Sequence, residues 1–537
     1  MNTHKTSTNR VFYPILFGLY PVLFLMSVNL GEIPLEQSWR AIFVVFLASL
    51  VLWALLKLVT KDNQKSALIS TVFLISFFSY GHIYNFLGQA DVLGGLLGRH
   101  RYLFPLAISI ILTSTFWIIK NAHNLHSTSR TLNLIGVVLI ILPVFQIATF
   151  EIRTVFENKS AQISHGENNT NLFLNTNDAP DIYYIILDAY GREDTLLELY
   201  DYDNSSFINE LQNMGFYVAD CSVSNYEKTV FSLPTTLNMN YLDKLGGDNL
   251  KRKSAPYPDL VKFKSLFSNN EVRRFLEANG YTTVAFQTGY YWASWQDADY
   301  YFSYTQINNG TDIEKFIHTS LNEFESLLVQ TSAGLLFTDL LNKGDLNLDL
   351  DIEDDQEGSI GETEKQIRYN TVNFALNMLE DIPNSIRGPK FVYAHIVSPH
   401  QPYVFDPNGE FVANQDDVNQ GYPDQVLFIN QRVLTIVENI IQSSEIPPII
   451  ILQGDHGPPD TESTPARMEI LNAYYLPDGG NNTLYSSITP VNSFRLIFDQ
   501  YFGTKYGLLD DVSWRSVDFY RNPFKLKMAP NTCEGND

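Results

Sequence analysis

The chain has 537 residues, with 36 basic and 59 acidic side chains and a formal net charge of −23 at pH 7. Residues 1–150 carry ten basic and four acidic residues, whereas the remainder carries 26 and 55, and an acidic carboxyl-terminal part is a poor candidate for binding nucleic acid through its phosphates. Two cysteines exclude a disulfide framework and a zinc ribbon, but they leave a single bridge open.

Five apolar segments predict a transmembrane domain over residues 1–150. Each is close to the roughly 20 residues that a helix needs to cross a bilayer. Seven basic residues fall in the loops on one side and three on the other, which predicts a cytoplasmic amino terminus. With five spans, the rest of the chain is extracytoplasmic, so we expect a multi-pass protein of the cell (inner) membrane with a periplasmic carboxyl-terminal domain. The segments lie at about 11–30, 41–59, 67–87, 102–119 and 132–150.

A juxtamembrane linker is predicted over 151–178, a soluble domain over 179–520 and a carboxyl-terminal tail over 521–537. Within the soluble domain, apolar strands alternate with amphipathic helices, and an acidic stretch at 345–364 reads as a solvated insertion. The alternation predicts an α/β domain with a mostly parallel central sheet and helices on both faces. Strands are predicted at 182–187, 216–218, 282–286, 391–397 and 449–452, and helices at 203–214, 270–278, 365–382 and 424–443.

Two of these strands end in side chains of the kind that bind metals. Asp188 directly follows the first strand, and Asp455 and His456 follow the strand at 449–452. The carboxyl ends of the strands open onto the ligand crevice in sheets of this class. Either aspartate alone would read as a helix cap. Together, and with a histidine attached, they predict one site that is built from distant parts of the chain.

Further candidates lie between these two strands. Thr229 occurs in a Lys-Thr-x-x-Ser pattern, and His400 occurs in a His-x-Pro-Tyr context after the strand that contains His395. This set, in this order, resembles the alkaline phosphatase–sulfatase superfamily. The five-span amino-terminal part resembles its membrane branch, the lipoteichoic acid synthase-like and phosphoethanolamine transferase-like proteins. The resemblance implies an alkaline-phosphatase-like (sulfatase-like) fold for the soluble domain, with Thr229 as the nucleophile and His400 as a substrate-side histidine. It also implies metal ligands at Asp188, Thr229, Asp455 and His456.

The chemistry of these residue types agrees with that implication. A threonine hydroxyl needs activation, and coordination to a divalent metal lowers its pKa and neutralises charge on a transferring phosphoryl group. Two carboxylates, one imidazole and an alkoxide suit Mn²⁺, with Zn²⁺, Mg²⁺ or Ca²⁺ as alternatives. His400 could protonate a leaving alkoxide or hold a phosphate oxygen. His395, Lys228 and Arg467 are candidate substrate-binding groups, although a core position for His395 and a surface salt bridge for Arg467 are simpler interpretations.

We therefore expect a membrane-anchored, metal-dependent transferase of phosphoglycerol- or phosphoethanolamine-type groups, with a phospholipid donor and an envelope glycan or glycolipid acceptor. A sulfatase-like hydrolase of sulfate or phosphate esters is the alternative. Ser232-Leu-Pro begins like the sulfatase motif whose first residue is oxidised to formylglycine. The arginine of that motif is missing here, and neither cysteine is nearby. A catalytically silent envelope binding protein is a second alternative, which the complete set of ligands disfavours. The oligomeric state and the pairing of Cys221 with Cys533 stay open.

Overall fold

The computed structural model describes residues 10–30, 33, 35–89, 99–164, 179–251, 258–304, 323–336, 360–459, 465–518, 521–531 and 533. The chain forms two compact units. The first comprises Met1–Ile152 and Gly310–Glu364, and the second comprises Arg153–Asn309 and Lys365–Asp537. The predicted soluble domain at 179–520 is therefore interrupted by a segment that folds with the amino-terminal helices. The acidic insertion lies, as far as residue 359, outside the described residues.

The first unit is built from long apolar helices, numbered here in chain order. Among the described residues, four stretches are long and apolar enough to cross a membrane, namely Leu35–Thr60, Asn63–Leu87, His100–Asn121 and His126–Arg153, and the apolar helix Tyr13–Val28 is shorter, with 16 residues. Helix α5 continues beyond the apolar stretch, so the first part of the predicted linker is helical, and residues 165–178 lie outside the described part. The helices are α1 (Tyr13–Val28), α2 (Trp39–Thr60), α3 (Asn63–Gln89), α4 (His100–Asn121), α5 (His126–Ser164) and α12 (Glu323–Gln330).

Helix α12 comes from the soluble half of the sequence but packs within the first unit. Phe324 is fully buried in a cluster with Val22, Met26, Ile33 and Ala41. The next residue, Glu325, forms an ion pair with Arg40 through both of its carboxylate oxygens. These contacts join residues almost 300 positions apart, which is why no local pattern predicted them.

The second unit contains a seven-stranded sheet, mostly parallel, in the order β2-β7-β6-β1-β5-β3-β4. The central strand β1 pairs in parallel with β5 and β6, and β7 is antiparallel to both β6 and β2. The strands are β1 (Ile182–Leu187), β2 (Tyr217–Val218), β3 (Thr282–Phe286), β4 (Tyr300–Phe302), β5 (Lys390–Ile396), β6 (Ile449–Gln453) and β7 (Asn472–Tyr475). The helices of this unit are α6 (Glu193–Tyr200), α7 (Ser205–Asn213), α8 (Thr229–Leu237), α9 (Leu242–Leu245), α10 (Leu260–Ser268), α11 (Glu271–Ala278), α13 (Ile360–Ser385, from Lys365), α14 (Val418–Ser443) and α15 (Pro490–Tyr501).

The sheet is buried on both faces, as a continuous apolar strand requires. Alternate residues of β1 enter different cores: Tyr183, Ile185 and Leu187 belong to one, and Ile182, Tyr184 and Ile186 to the other. The predicted fold class, a helical membrane part followed by an α/β domain with a mostly parallel sheet, is confirmed.

The stretch predicted as a tail at 521–537 is ordered over most of its described length. Strand β9 (Asn522–Ala529) pairs with β8 (Ser513–Asp518) as an antiparallel hairpin. Phe524 on β9 packs against Phe231 on α8, with ring centroids 4.9 Å apart. Cys533 and Cys221 form a disulfide, which answers the question that the sequence left open. Such a bridge is typical of an oxidising, extracytoplasmic compartment.

Candidate metal and active site

The turn after β1 aligns the first carboxylate with the neighbouring strands. The Asp188 N–H donates to the Ile396 carbonyl at 2.9 Å, and the Asp188 carbonyl accepts the His400 N–H at 3.0 Å. Ala189 then adopts a left-handed conformation with φ of 65°, and its N–H donates to Asp455 Oδ1 at 3.1 Å. One turn therefore holds the backbone of the His400 loop and the side chain of Asp455. The adjacency of β1, β5 and β6 makes this contact between distant segments possible.

Asp188 and Asp455 are both fully buried and close to the same histidine. His456 Nε2 lies 3.5 Å from Asp188 Oδ1 and 3.6 Å from Asp455 Oδ2. In the described part of the chain these two carboxylate oxygens accept no hydrogen bond. An unpaired buried charge is costly, so the arrangement fits a bound cation.

Two overlapping groups of side chains offer ligand atoms within 4.8 Å of one another. One group consists of Asp188, His400 and His456, and the other of Asp188, His395 and Asp455. Four of these five residues were predicted for the metal or for catalysis. The structure adds His395, whose Nε2 lies 3.2 Å from Asp188 Oδ2.

The electrostatics of the pair also favour a cation. Burial and the charge of Asp188 raise the pKa of Asp455 to about 7. Burial opposes ionisation of Asp188, but the imidazoles of His400, His395 and His456 hold its pKa below the usual range. Burial and then Arg467 lower the pKa of His456 well below that of a free histidine. Because the His456 Nδ1–H donates to the Gly457 carbonyl at 2.9 Å, its Nε2 presents a lone pair to the two carboxylates.

Thr229 is the first residue of α8, where the positive end of the helix dipole lies. Its hydroxyl counteracts part of the rise in the pKa of the Asp455 carboxyl, so it lies beside that carboxylate. The preceding loop is held by the carboxyl-terminal hairpin, since the Trp514 N–H donates to the Asn225 carbonyl at 2.9 Å and the Ser516 N–H donates to Glu227 Oε1 at 2.6 Å. Thr229 therefore lies beside the carboxylates, and the loop before it has supports that the sequence did not show.

His400 and His395 take different positions around Asp188. His400 is partly exposed, and its Nδ1–H donates to the Gln401 carbonyl at 2.6 Å, which leaves Nε2 unprotonated while burial lowers the pKa of the ring. His395 is buried, and its ring stacks on Tyr290 at 5.9 Å. His395 therefore contacts a carboxylate rather than an open space, in line with the core position that was its simpler interpretation.

Cationic groups surround the cluster. Arg467 lies in a 3₁₀ helix, Pro465–Met468, and its Nη2 is 3.3 Å from His456 Nε2. Gly457 allows this approach, because a Cβ there would lie 2.0 Å from the Ala466 carbonyl oxygen. Lys228 precedes Thr229, and burial lowers its pKa to about 8 although Glu227 opposes the shift. A third cation, Arg368 on α13, was missed by sequence reasoning because nothing in the helical pattern distinguishes it.

No protein-family model and no curated protein match the chain. Solved structures do match it, and the integral membrane lipooligosaccharide phosphoethanolamine transferase A of Neisseria meningitidis is similar over 90% of this chain and 94% of that chain, at 10% identity and a TM-score of 0.37. The C-terminal periplasmic domain of EptC from Escherichia coli is similar over 67% and 95%, at 12% identity and a TM-score of 0.36. A Bacteroides thetaiotaomicron protein of glycosaminoglycan metabolism is similar over 60% and 72%, at 13% identity and a TM-score of 0.35. At identities and scores this low, we infer the function from the residues of the site.

Proposed function

We propose that the protein is a metal-dependent phosphoalcohol transferase of the alkaline phosphatase–sulfatase superfamily, with Thr229 as its nucleophile. The observation that carries the proposal is the position of Thr229 at a helix amino terminus, where its hydroxyl acts on the pKa of one of two buried carboxylates that have unpaired oxygens. A hydroxyl beside a cation site and under a positive helix end is suited to attack a phosphorus atom.

The residues present fit one divalent cation. Asp188, Thr229, Asp455 and His456 would hold it, with His400 or His395 within reach of the same atoms. When bound, such a cation lowers the pKa of the nucleophile and neutralises charge on the phosphoryl group. The sequence predicted Mn²⁺. The additional imidazoles favour Zn²⁺ as the first competitor, and metal analysis of the purified full chain decides between them.

The transfer balances with the groups that the chain supplies. The Thr229 oxygen forms a bond to phosphorus as the bond from phosphorus to the diacylglycerol oxygen breaks. The proton that leaves the Thr229 hydroxyl balances the proton that the diacylglycerol oxygen takes up. His400 can transfer it, because its ring is neutral and its Nε2 is unprotonated. In the second half-reaction an acceptor hydroxyl forms the new bond to phosphorus, and Thr229 recovers its proton.

A lipid donor suits the arrangement of the first unit. The Tyr13 N–H at the start of α1 binds Asn133 at 3.0 Å near the start of α5, whereas Met26 at its other end packs with Phe324. Helix α1 therefore runs between the two ends of the helical unit despite its 16 residues. With α1 counted as a fifth span, the cytoplasmic amino terminus that the loop charges predict would put Arg40 and its partner Glu325 on the extracytoplasmic side. A donor phospholipid of that leaflet and an envelope glycan or glycolipid acceptor follow as the proposed substrates.

The test is diacylglycerol release from mixed phospholipid vesicles by the purified full chain loaded with cation. Thr229→Ala should abolish release, while Thr229→Ser should retain part of it. Ser232→Ala, one turn further along α8, is the matched control and should remain active. Full activity of Thr229→Ala would contradict the mechanism. Loss of sulfate-ester hydrolysis in Ser232→Ala alone would indicate the sulfatase alternative, and an absence of both turnover and bound metal would indicate a binding protein.

A further inference from the structure

Arg368 reaches the candidate site from a helix that carries no other candidate residue. Its Nη1 donates to the Val397 carbonyl at 3.1 Å, three residues before His400. The guanidinium lies over Gly289, where a Cβ would be 3.1 Å from Arg368 Nη2 and 3.2 Å from its Cζ. Arg368 is therefore placed between the end of β3 and the His400 loop, and a Cβ at position 289 would force its guanidinium to shift.

Arg368 and Arg467 act on the same two groups. The positive charges of both guanidinium groups act to lower the pKa of the His400 imidazole and that of the Tyr290 phenol. The charges of Asp188 and Asp455 act to raise the pKa of Tyr290. Two arginines from different segments therefore border the space beside the carboxylates and His400.

Neither of these arginines forms an ion pair in the described part of the chain, although the charge of Arg467 acts on Glu227. Several other arginines of the second unit do form one. Arg192 pairs with Glu469 and Asp194, and Arg273 pairs with Glu277 and Asp297. A partly buried guanidinium without a carboxylate is suited to bind an anion from outside, and its planar donors match phosphate oxygens.

We propose that Arg368 and Arg467 together form a binding site for the anionic oxygens of the substrate phosphate. This inference rests on the proposed function and deepens it, since it restricts the substrate to esters that retain a negative charge on the transferred group. Neutral esters and uncharged glycans would leave both guanidinium groups without a counter-charge. Arg368 also holds the His400 loop through Val397, so it orients a site residue as well as the anion.

The experiment is calorimetric titration of the cation-loaded, detergent-solubilised full chain with inorganic phosphate. Arg368→Gln should weaken phosphate binding at least tenfold, which corresponds to about 1.4 kcal/mol. Lys365→Gln is the matched control on the same helix, because Lys365 is already paired with Asp416 at 2.9 Å. It should change the dissociation constant less than twofold.

A second variant separates anion binding from a purely structural role. Gly289→Ala keeps the charge of Arg368 but displaces its guanidinium, so it should also weaken phosphate binding while metal content and the unfolding midpoint stay as in the parent. Unchanged phosphate binding in both Arg368→Gln and Gly289→Ala would overturn the inference, even if the parent turns over phospholipid. Weakened phosphate binding in a chain that lacks transferase activity would refute the proposed function but support the inference.

Discussion

Cation binding should release a proton below about pH 7, because the two buried carboxylates lie beside the same histidine and the charge of Asp188 opposes ionisation of Asp455. Burial and the charge of Asp188 raise the pKa of Asp455 from 3.8 to about 7. A raised carboxyl pKa stabilises the cation-free fold at low pH, and this contribution is lost as the pH rises from about 4 through 7. The full shift corresponds to about 4 kcal/mol. The lowered pKa of Asp188 acts in the opposite direction, and its contribution is lost only as the pH falls below 3.8.

A divalent cation must displace the proton of Asp455, so its dissociation constant should weaken about tenfold for each pH unit below 7 and level off above it. Calorimetry at pH 6 in two buffers of different ionisation enthalpy should show close to one proton released per cation. Asp424→Asn is the matched control, since burial also raises the pKa of Asp424 but it is not among the grouped ligands, and it should leave the pH slope unchanged. Equal affinities at pH 6 and pH 8, or no proton release, would refute this electrostatic account of the pair.

Three further predictions concern the supports of the site. Cys533→Ser removes a disulfide between residues 312 positions apart and should destabilise the second unit by up to about 5 kcal/mol. The unfolding midpoint should fall, and reductant should lower the midpoint of the parent chain in the same way. Glu325→Gln removes the carboxylate charge opposite Arg40 and should cost about 1.5–3 kcal/mol, with faster hydrogen exchange in α12, whereas unchanged exchange would show that the ion pair contributes little. Gly457→Ala should lower turnover about a hundredfold by displacing the loop that carries Arg467, and turnover equal to that of the parent chain would contradict this role of the glycine.

The parts of the site that follow strands could be predicted from the sequence. Asp188 directly follows a continuous apolar run, Asp455 comes shortly after another, and neighbouring parallel strands bring such ends together. The prediction of the two aspartates needed only short-range signals and the geometry of a parallel sheet. Thr229 was predicted from the resemblance of its local pattern to that of a known superfamily, and in the structure it lies at the start of a helix beside Asp455.

The parts that depend on long-range packing could not be predicted. Arg368 is one polar residue on an amphipathic helix, and nothing in the sequence indicates that its guanidinium lies against Gly289. Phe324 and Glu325 read as ordinary helical residues until Arg40 is placed beside them. The sequence of the hairpin at 513–529 indicates no role in the site. In the structure, the N–H groups of Trp514 and Ser516 on this hairpin donate hydrogen bonds to the loop before Thr229. In each case the partner lies far away in sequence, so the deciding contact has no local signature.

The most direct test of the central claim is mass spectrometry of the full chain after incubation with cation and mixed phospholipids. The account predicts a phosphoalcohol adduct on the peptide that contains Thr229, which is absent from Thr229→Ala and retained in Ser232→Ala. The mass of the adduct would identify the transferred headgroup. An unmodified Thr229 in a chain that still releases diacylglycerol, or an adduct on a different residue, would contradict the claim that Thr229 is the nucleophile.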